Sequence, residues 1–407
     1  MTKDVAVIGV GMTRFGKYLE KSPKLLVREA VEHALADAGI GKEQLQAAYV
    51  GNAAGGAITG QHMIRGQVVL DPIGINRIPI YNIENACASS SFAFNLAYTA
   101  VAGGFHDCVL VVGYEKLFHE DKRKPFLALE SALDVEDFLN HFQRVEESLG
   151  NDVKIFPEGG ENRSRLLDVY AFLTKRYMDR YGITQRHLAM LSVKAHKNGA
   201  LNPKAQYQEV VTVDQVLQSG DVTYPFTRMM CAPIGDGAAA AIVCSKEFAA
   251  KVTRKPIWVA ESVVTSGMVS TELDDTITMR SGRKLYEGSG IEPGDIDVIE
   301  VHDTTSSAEI MDLIDLQLCP GELAVERIEN GYFEINGTLP CNPSGGLTTK
   351  GHPVGATGVG QIYEIVQQLR GECGSRQVEN PQVGMTHNGG GFLGIDAAAM
   401  ALHVFKR

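Results

Sequence analysis

The sequence predicts an α/β fold made of two related halves and an inserted domain, and three observations lead to this prediction. Short apolar runs alternate with helical segments over most of the 407 residues, a pattern that indicates helix-covered sheets. Two pairs of segments within the chain resemble one another. The stretch between residues 116 and 225 lacks the alternation and is richer in charged residues, which indicates an insertion.

The apolar runs predict buried strands, because continuous Val, Ile, Leu and Ala are typical of sheets covered on both faces. The predicted strands are Val5–Val10, Ala47–Val50, Cys108–Val112, Ala238–Val243, Ile257–Val264, Val298–Val301 and Ile395–Val404. The predicted helices are residues 24–38, 88–102, 305–317 and 356–369. The second of these helices is apolar on nearly all sides, so we expect it to be buried between layers.

The internal resemblance divides the chain. Residues 39–50 parallel residues 290–301, and residues 235–243 parallel residues 394–402. The two members of the second pair are closer together in the sequence than those of the first pair. The first half of the chain is therefore the longer one, and it contains the insertion. The predicted units are an N-terminal half of residues 1–115 plus 226–250, a loop domain of residues 116–225, and a C-terminal half of residues 251–407.

Cys87 is the strongest candidate for a reactive residue. It stands between a short extended stretch and the apolar helix, so its sulfur would face unpaired backbone N–H groups and the positive end of the helix dipole. Both favour thiolate over thiol. A lone cysteine is more often a small buried apolar residue. The residues near the other end of the chain make the nucleophile the better interpretation.

Three glycine-rich segments near the C-terminus present polar side chains. They are residues 342–347, residues 351–358 with His352, and residues 386–391 with His387. We interpret them as turns, because glycine at this density lets backbone N–H groups converge on one point. A cysteine at a helix start, together with two such histidines, matches the nucleophile, base and oxyanion donors of acyl transfer.

At these residues the sequence resembles the thiolase superfamily, and within it the sterol-carrier-protein-type and archaeal-type thiolases, nearly from end to end. Asn-Ala-Cys-Ala-Ser-Ser at residues 85–90 is similar to the nucleophile motif, and Gly-His-Pro-Val-Gly-Ala-Thr-Gly at residues 351–358 to the histidine motif. His302 and Asp303 resemble the His-Asp variant of the Asn-Glu-Ala-Phe motif. The resemblance implies a thiolase-like fold, with two duplicated βαβαβαββ halves in a layered αβαβα architecture and an inserted loop domain.

The resemblance also implies the reaction, cleavage of a 3-oxoacyl-CoA with coenzyme A through an acyl group on Cys87. His352 would activate Cys87, and His387 would protonate the enolate and later deprotonate coenzyme A. One oxyanion hole would use His352 and His302, and the other would use the backbone N–H groups of Cys87 and Gly389. Coenzyme A is then a co-substrate, with no bound cofactor and no metal.

Two departures from the usual motifs concern the substrate. Thr304 and Thr305 stand where this type usually reads Cys-Phe, so we expect a reshaped wall beside the acyl group. His387 stands where other thiolases carry a second catalytic cysteine. Both features resemble the large subunit of benzoylsuccinyl-CoA thiolase. They favour an aromatic or branched substrate such as benzoylsuccinyl-CoA, which would yield benzoyl-CoA and succinyl-CoA in aromatic degradation.

Several alternatives stay open. Acetoacetyl-CoA thiolase of the archaeal type is the plain one. A ketoacyl synthase shares the Cys-His-His chemistry but would need a docking surface for a carrier protein. A retro-aldolase shares the scaffold, although such relatives tend to lack the nucleophile. A non-catalytic acyl-CoA-binding subunit would leave Cys87 unreactive.

Composition and charge predict a cytoplasmic enzyme. No segment approaches the roughly 20 apolar residues of a membrane span, and no terminal stretch reads as a leader. The net charge of −11 disfavours nucleic acid and anionic membranes as partners. The seven cysteines are scattered without Cys-x-x-Cys spacing, which indicates reduced thiols and argues against zinc.

Assembly is the last expectation. We expect at least a homodimer, because the apolar strand Cys108–Val112 would otherwise leave an open sheet edge. The resemblance also implies a small companion subunit with a zinc ribbon and an OB-fold, and hence a hetero-oligomer.

Overall fold

The computed structural model describes residues 3–149, 155–156, 164–252, 255–269 and 274–407. Its strands are β1 (Val5–Met12), β2 (Ala47–Gly51), β3 (Ile80–Ile83), β4 (Cys108–Glu115), β5 (Asp221–Thr223), β6 (Phe226–Thr227), β7 (Gly237–Ser245), β8 (Ile257–Ser266), β9 (Val298–Glu300), β10 (Val383–Leu393) and β11 (Asp396–Lys406). Its helices are α1 (Pro23–Ala38), α2 (Gly55–Thr59), α3 (Arg65–Leu70), α4 (Ser89–Ala102), α5 (Arg123–Glu130), α6 (Phe138–Leu149), α7 (Arg165–Tyr181), α8 (Gln185–Ala200), α9 (Val213–Leu217), α10 (Lys246–Ala249), α11 (Ile277–Ser289), α12 (Ser306–Asp315), α13 (Ala324–Glu329), α14 (Gly346–Thr349) and α15 (Thr357–Arg370).

The central sheet joins both halves of the chain. Among the described residues it contains nine strands in the order β3-β2-β4-β7-β1-β8-β11-β10-β9, while β5 and β6 pair separately. The halves meet where β1 and β8 share only two residue pairs, Ala6 with Trp258 and Val7 with Ile257. This short junction lets the two parts of the sheet face each other across a layer of helices.

That helical layer consists of α4 and α15. Phe94 of α4 and Val359 of α15 belong to one apolar cluster with Val111 of the first half and Phe405 of the second. Helix α1 covers the opposite face of the first half, and α8, α11 and α12 cover the opposite face of the second. The order of layers is αβαβα, as predicted. Helix α4 is buried as expected, except on the side where Leu96 remains 46% exposed.

The internal resemblance corresponds to repeated local structure. Helices α1 and α11 each end on a glycine in the left-handed conformation, Gly39 with φ 69° and Gly290 with φ 64°. A short 3₁₀ turn and then a strand, β2 or β9, follows each glycine. In the second half the counterpart of β3 is reduced to a single parallel bridge between Ile299 and Cys341.

The predicted strands and helices are all present, with ends shifted by a few residues. One prediction is wrong: residues 386–391, interpreted as a turn, lie inside strand β10. Glycine is depleted in strands, so the sequence of a strand that contains three consecutive glycines indicates a loop. Between residues 116 and 225 the structure has helices α5 to α9. The domain boundaries stay predictions.

The expected open edge is also wrong. Strand β4 pairs with β2 on one side and with β7 on the other, so residues Cys108–Val112 lie inside the sheet. The free edge of the first half is β3, where the Tyr81 side chain is 46% exposed. None of the helices that the structure describes is long and apolar enough to cross a membrane.

Candidate active site

Cys87 lies in a tight turn between β3 and α4. The preceding residue, Ala86, has φ 47°, a conformation that residues with a side chain rarely adopt. The hydroxyl of Ser89 donates to the carbonyl of Ala86 at 2.6 Å and accepts from the N–H of Asn85 at 3.0 Å. These bonds hold the turn and fix Cys87 in front of the first turn of α4.

Strand β10 passes directly against this turn. A side chain on Gly390 would collide with the carbonyl of Asn85 and would lie 2.9 Å from the nitrogen of Ala88, so only glycine permits the approach. The backbone N–H of Gly391 is one of two that bond the Cys87 sulfur, and the other is that of Cys87 itself. Gly389, the predicted oxyanion donor, lines the same cavity.

The Cys87 sulfur rests as a thiol. Burial raises the pKa of Cys87 to about 12, the negative charges of Glu115 and Glu84 add to this, and the N–H groups of Gly391 and Cys87 itself oppose it. The expectation that the helix start would favour a thiolate is therefore not met, because desolvation outweighs the nearby N–H groups. The sulfur needs a neighbouring base before it can attack.

Three predicted residues come together at this point from distant parts of the chain. The Cys87 sulfur and one ring nitrogen each of His302 and His352 all lie within 4.8 Å of one another. The two imidazole rings stand nearly perpendicular, with their centroids 5.1 Å apart. The Cys87 thiol thus has two imidazoles within reach.

His352 has one ring nitrogen free to accept a proton. Its Nδ1 lies 2.7 Å from the hydroxyl of Thr357, and that hydroxyl donates to the carbonyl of Pro353 at 3.2 Å. The hydroxyl oxygen must therefore accept the Nδ1–H of His352, which leaves Nε2 unprotonated. Burial, followed by the proximity of His302, holds the pKa of His352 well below its usual range, so the ring is neutral at rest.

His302 has the opposite tautomer. The side-chain amide of Asn388 donates to its Nδ1 at 2.8 Å, so the proton of the neutral ring is on Nε2. Ser91 orients Asn388 by donating its hydroxyl to the amide oxygen at 2.8 Å. Burial lowers the pKa of His302 to about 3, which keeps the ring an uncharged donor.

His387 lies on β10 next to these groups. Its Nε2 is 3.1 Å from the hydroxyl of Thr278, and the backbone N–H of His302 donates to its Nδ1 at 3.4 Å. A carboxyl oxygen of Asp312 is 3.3 Å from the same Nδ1. Burial lowers the pKa of His387 to about 3.

A cavity of about 540 Å³ holds Cys87 and all three histidines in its wall. Most of the remaining wall is apolar and comes from Leu129, Leu166, Tyr170, Met311, Phe392 and Ile395. Thr304 also lines the cavity, and its hydroxyl accepts from Tyr170 at 3.5 Å. Thr305 instead occupies the N-cap position of α12, where its hydroxyl bonds Ser307.

Sequence reasoning missed the residues that orient the histidines. Asn388 and Thr357 stand in the glycine-rich segments, and Ser91 directly follows the nucleophile motif, but their bonds depend on contacts between distant segments. Thr278 and Asp312 lie on helices α11 and α12, and no local pattern sets them apart from ordinary helix residues. The completed site has a thiol, a neutral base and neutral donors, which is a set suited to acyl transfer.

Comparison with known proteins agrees with this chemistry. A family model described as the N-terminal domain of thiolase matches residues 5–229, and one described as thiolase C-terminal domain-like matches residues 262–403. The chain belongs to the thiolase family. This thiolase is therefore an acyltransferase, as the sequence predicted.

Curated relatives of this thiolase extend over nearly all of its chain. It is 39% identical over 412 residues to an acetyl-CoA acetyltransferase of Methanothermobacter thermautotrophicus, with 100% of each chain covered. It is 36% identical to sterol carrier protein 2 of Bos taurus, covering 97% of this chain and 71% of that protein. It is 34% identical to benzoylsuccinyl-CoA thiolase subunit BbsB of Thauera aromatica, covering 96% of each.

Solved structures confirm the thiolase fold. The Ltp2-ChsH2(DUF35) aldolase superimposes with a TM-score of 0.76 at 23% identity, covering 98% of this chain and 97% of that one. Human mitochondrial 3-ketoacyl-CoA thiolase in complex with CoA gives a TM-score of 0.70 at 14% identity, covering 99% and 98%. At these identities the likeness concerns the fold alone.

Proposed function

We propose that this thiolase cleaves a 3-oxoacyl-CoA with coenzyme A through an acyl group carried on Cys87. The observation that carries the proposal is the placement of the Cys87 sulfur within 4.8 Å of ring nitrogens of His302 and His352, in the wall of one cavity. A thiol whose pKa is raised by burial requires such a base.

The first half-reaction begins at His352. Its unprotonated Nε2 takes the thiol proton, and the Cys87 sulfur attacks the ketone carbon of the substrate. Backbone N–H groups of Cys87 and Gly389 hold the resulting oxyanion. The bond between C2 and C3 then breaks, the acyl group stays on sulfur, and the enolate oxygen of the leaving fragment accepts from His302 Nε2–H and from protonated His352. One such donor typically contributes about 10²–10³ in rate.

The second half-reaction uses His387. It gives a proton to the enolate carbon, which releases the first acyl-CoA. After coenzyme A has entered, His387 takes the proton of the incoming thiol, and the new thiolate attacks the thioester on Cys87. The acyl group passes to coenzyme A, and the released Cys87 sulfur regains its proton from protonated His352. The products are two acyl-CoA molecules. Two arginines on α7, Arg176 and Arg180, are exposed and line the cavity, where they can meet the anionic part of coenzyme A.

The substrate we favour carries a bulky apolar acyl group, either branched or aromatic, such as benzoylsuccinyl-CoA. The wall formed by Tyr170, Phe392, Met311 and their neighbours supports this, because apolar groups gain affinity from such surfaces. The 34% identity to a benzoylsuccinyl-CoA thiolase subunit is a second support. Acetoacetyl-CoA is the alternative, which the 39% identity to an archaeal acetyl-CoA acetyltransferase favours.

We also propose a homodimer and a small companion subunit. The free edge of β3, with exposed Tyr81, and the neighbouring exposed Leu96 offer a surface for a second copy. The relative from Thauera aromatica is named as a subunit, and the structural neighbour of highest TM-score given above is named with a DUF35 protein. The cytoplasmic location and the lack of a metal stay predictions.

The test combines a substrate panel with a covalent readout. Benzoylsuccinyl-CoA, a branched 3-oxoacyl-CoA and acetoacetyl-CoA are each assayed with free coenzyme A, using the chain alone and with its companion. The intact mass after mixing with substrate should show an acyl adduct that Cys87→Ala lacks. Cys231→Ala, which removes another partly exposed thiol, should keep it. Thiolysis by Cys87→Ala, or an adduct at another residue, would refute the proposal.

A further inference from the structure

His387 has a chemical difficulty in the role proposed for it. Burial lowers its pKa to about 3, so the ring is neutral at physiological pH. A neutral imidazole has one N–H and one lone pair, and it releases the N–H readily only when its other nitrogen gains a proton. A proton donor to the enolate at this position therefore needs a partner at the far nitrogen.

The structure places a carboxyl at that nitrogen. An oxygen of Asp312 lies 3.3 Å from Nδ1 of His387, and both side chains line the cavity. The backbone N–H of His302, which can only donate, also points at this Nδ1 at 3.4 Å. Nδ1 is therefore an acceptor, and a carboxyl this close stabilises the arrangement only if it carries a proton of its own.

The surroundings of Asp312 favour its protonated form. Burial raises the pKa of its carboxyl well above the usual range, and the nearby carboxyls of Asp315, Asp303 and Glu309 raise it further. Tyr177 of α7 is also near, but its hydroxyl donates to Asp315 at 2.6 Å and it supplies no positive charge. The protonated carboxyl of Asp312 can thus donate to the lone pair on Nδ1 of His387.

We propose that Asp312 is the proton partner of His387 and acts through that ring as a positioning residue for proton transfer. This inference rests on the function proposed above and adds a residue to it. In the first half-reaction the Nε2–H bond of His387 breaks as a C–H bond forms at the enolate carbon, while the Asp312 proton moves to Nδ1. The negative charge of the enolate ends on the Asp312 carboxylate.

The second half-reaction reverses these transfers. Nε2 of His387 takes the thiol proton of coenzyme A, and Nδ1 returns its proton to Asp312. The negative charge then sits on the attacking sulfur, and both residues regain their starting states. Every proton is conserved over one turnover, so the pair needs no exchange with solvent.

The experiment compares Asp312→Asn with Asp315→Asn in the full chain. Asparagine can donate to Nδ1 but cannot transfer a proton. Asp315 lies one turn further along α12 and bonds Tyr177 and Thr276 at 2.6 and 2.7 Å, so Asp315→Asn removes a carboxyl from similar surroundings without touching His387. The readout is deuterium incorporation at C2 of the acyl-CoA product in D₂O, together with kcat and KM for thiolysis.

For Asp312→Asn we expect the rate of deuterium incorporation at C2 and kcat for thiolysis to fall about 10²-fold, as is typical for loss of general acid–base catalysis. KM should be nearly unchanged. Iodoacetamide labelling of Cys87 should stay at the wild-type rate. In Asp315→Asn, burial and the remaining carboxyls still favour the protonated form of Asp312, so deuterium incorporation and kcat should fall much less than in Asp312→Asn. Wild-type exchange in Asp312→Asn would overturn the proton partner while leaving the thiolase function intact. A wild-type chain with neither thiolysis nor a Cys87 adduct would instead refute the underlying function.

Chemical rescue covers the case in which Asp312→Asn does not fold. Asp312→Ala leaves space beside His387 that formate can occupy, and added formate should restore exchange in a concentration-dependent manner. The same addition should leave the wild-type and Asp315→Asn proteins unaffected. A folded Asp312→Ala protein with full exchange in the absence of formate would contradict the proposal.

Discussion

The side-chain amide of Asn388 donates to Nδ1 of His302 at 2.8 Å, and this bond decides which nitrogen of His302 carries the proton. Because an amide N–H can only donate, the ring hydrogen is confined to Nε2. The hydroxyl of Ser91 keeps the amide in this orientation. His302 thereby offers an uncharged donor beside Cys87 and His352.

Asn388→Asp tests this relationship with almost no change in shape. A carboxylate at position 388 would accept the Nδ1–H of His302, which moves the lone pair to Nε2 and removes a donor to the enolate oxygen. We expect kcat for thiolysis to fall about 10²-fold, the usual effect of losing one oxyanion donor. A melting curve by circular dichroism checks the fold, and activity within a few-fold of wild type would contradict the assignment.

The tautomer of His352 depends in the same way on Thr357. Thr357→Val keeps the shape of the side chain but leaves the buried Nδ1–H without an acceptor, whereas Thr357→Ser keeps the hydroxyl. We expect Thr357→Val to slow acylation of Cys87 by about tenfold or more, since an unsatisfied buried donor costs about 1–3 kcal/mol. Rapid-quench mass spectrometry measures acylation, and equal rates for the two variants would show that the hydroxyl does not orient His352.

Two neighbouring glycines of β10 provide a matched pair. A methyl group on Gly390 would collide with the carbonyl of Asn85, whereas the nearest atom to one on Gly389 is the methyl carbon of Met400 at 3.4 Å. Gly390→Ala should therefore displace the turn that carries Cys87 and abolish its acylation. Gly389→Ala should fold with a melting temperature close to that of wild type. Similar behaviour of both variants would contradict the close approach of strand and turn.

Much of the fold could be predicted because its strands appear in the sequence as apolar runs. Residues 238–243 and 397–402 are continuous apolar residues, and they lie in β7 and β11. Strand β10 could not be predicted, because its residues 389–391 are glycines. These glycines allow close approach to another segment. They therefore lack the alternation of apolar and polar residues that indicates a strand.

The sequence indicates candidate residues for the site but not the orientation of their side chains. Cys87 and His352 stand in sequence motifs that mark them as candidates, and their roles stay predictions. The protonation state of Cys87 was predicted the wrong way, because the helix position is visible in the sequence and the desolvation that outweighs it is not. Contacts such as that of Asp312 with His387 join residues 75 positions apart and depend on the assembled fold.

Acid sensitivity is the last prediction, and it concerns the buried His403 on β11. Its ring is fully buried, lies 4.8 Å from the Phe94 ring between centroids, and places Nδ1 2.9 Å from the hydroxyl of Ser262. Burial lowers the pKa of His403 to about 3, whereas in the unfolded chain it is about 6.5. The unfolded state therefore binds more protons between these values, so His403 favours unfolding increasingly as the pH falls from 6.5 towards 3.

At pH 5 the loss from His403 alone amounts to about 2 kcal/mol in the free energy of unfolding. His403→Asn keeps a partner for Ser262 but does not titrate in this range, so its stability should depend less on pH by about that amount. Urea unfolding at pH 7.5 and pH 5.0 measures the difference. His33→Asn, at an exposed position on α1, serves as the control and should keep the wild-type dependence. If His403→Asn loses as much stability as wild type between the two pH values, the buried ring is not the titrating group.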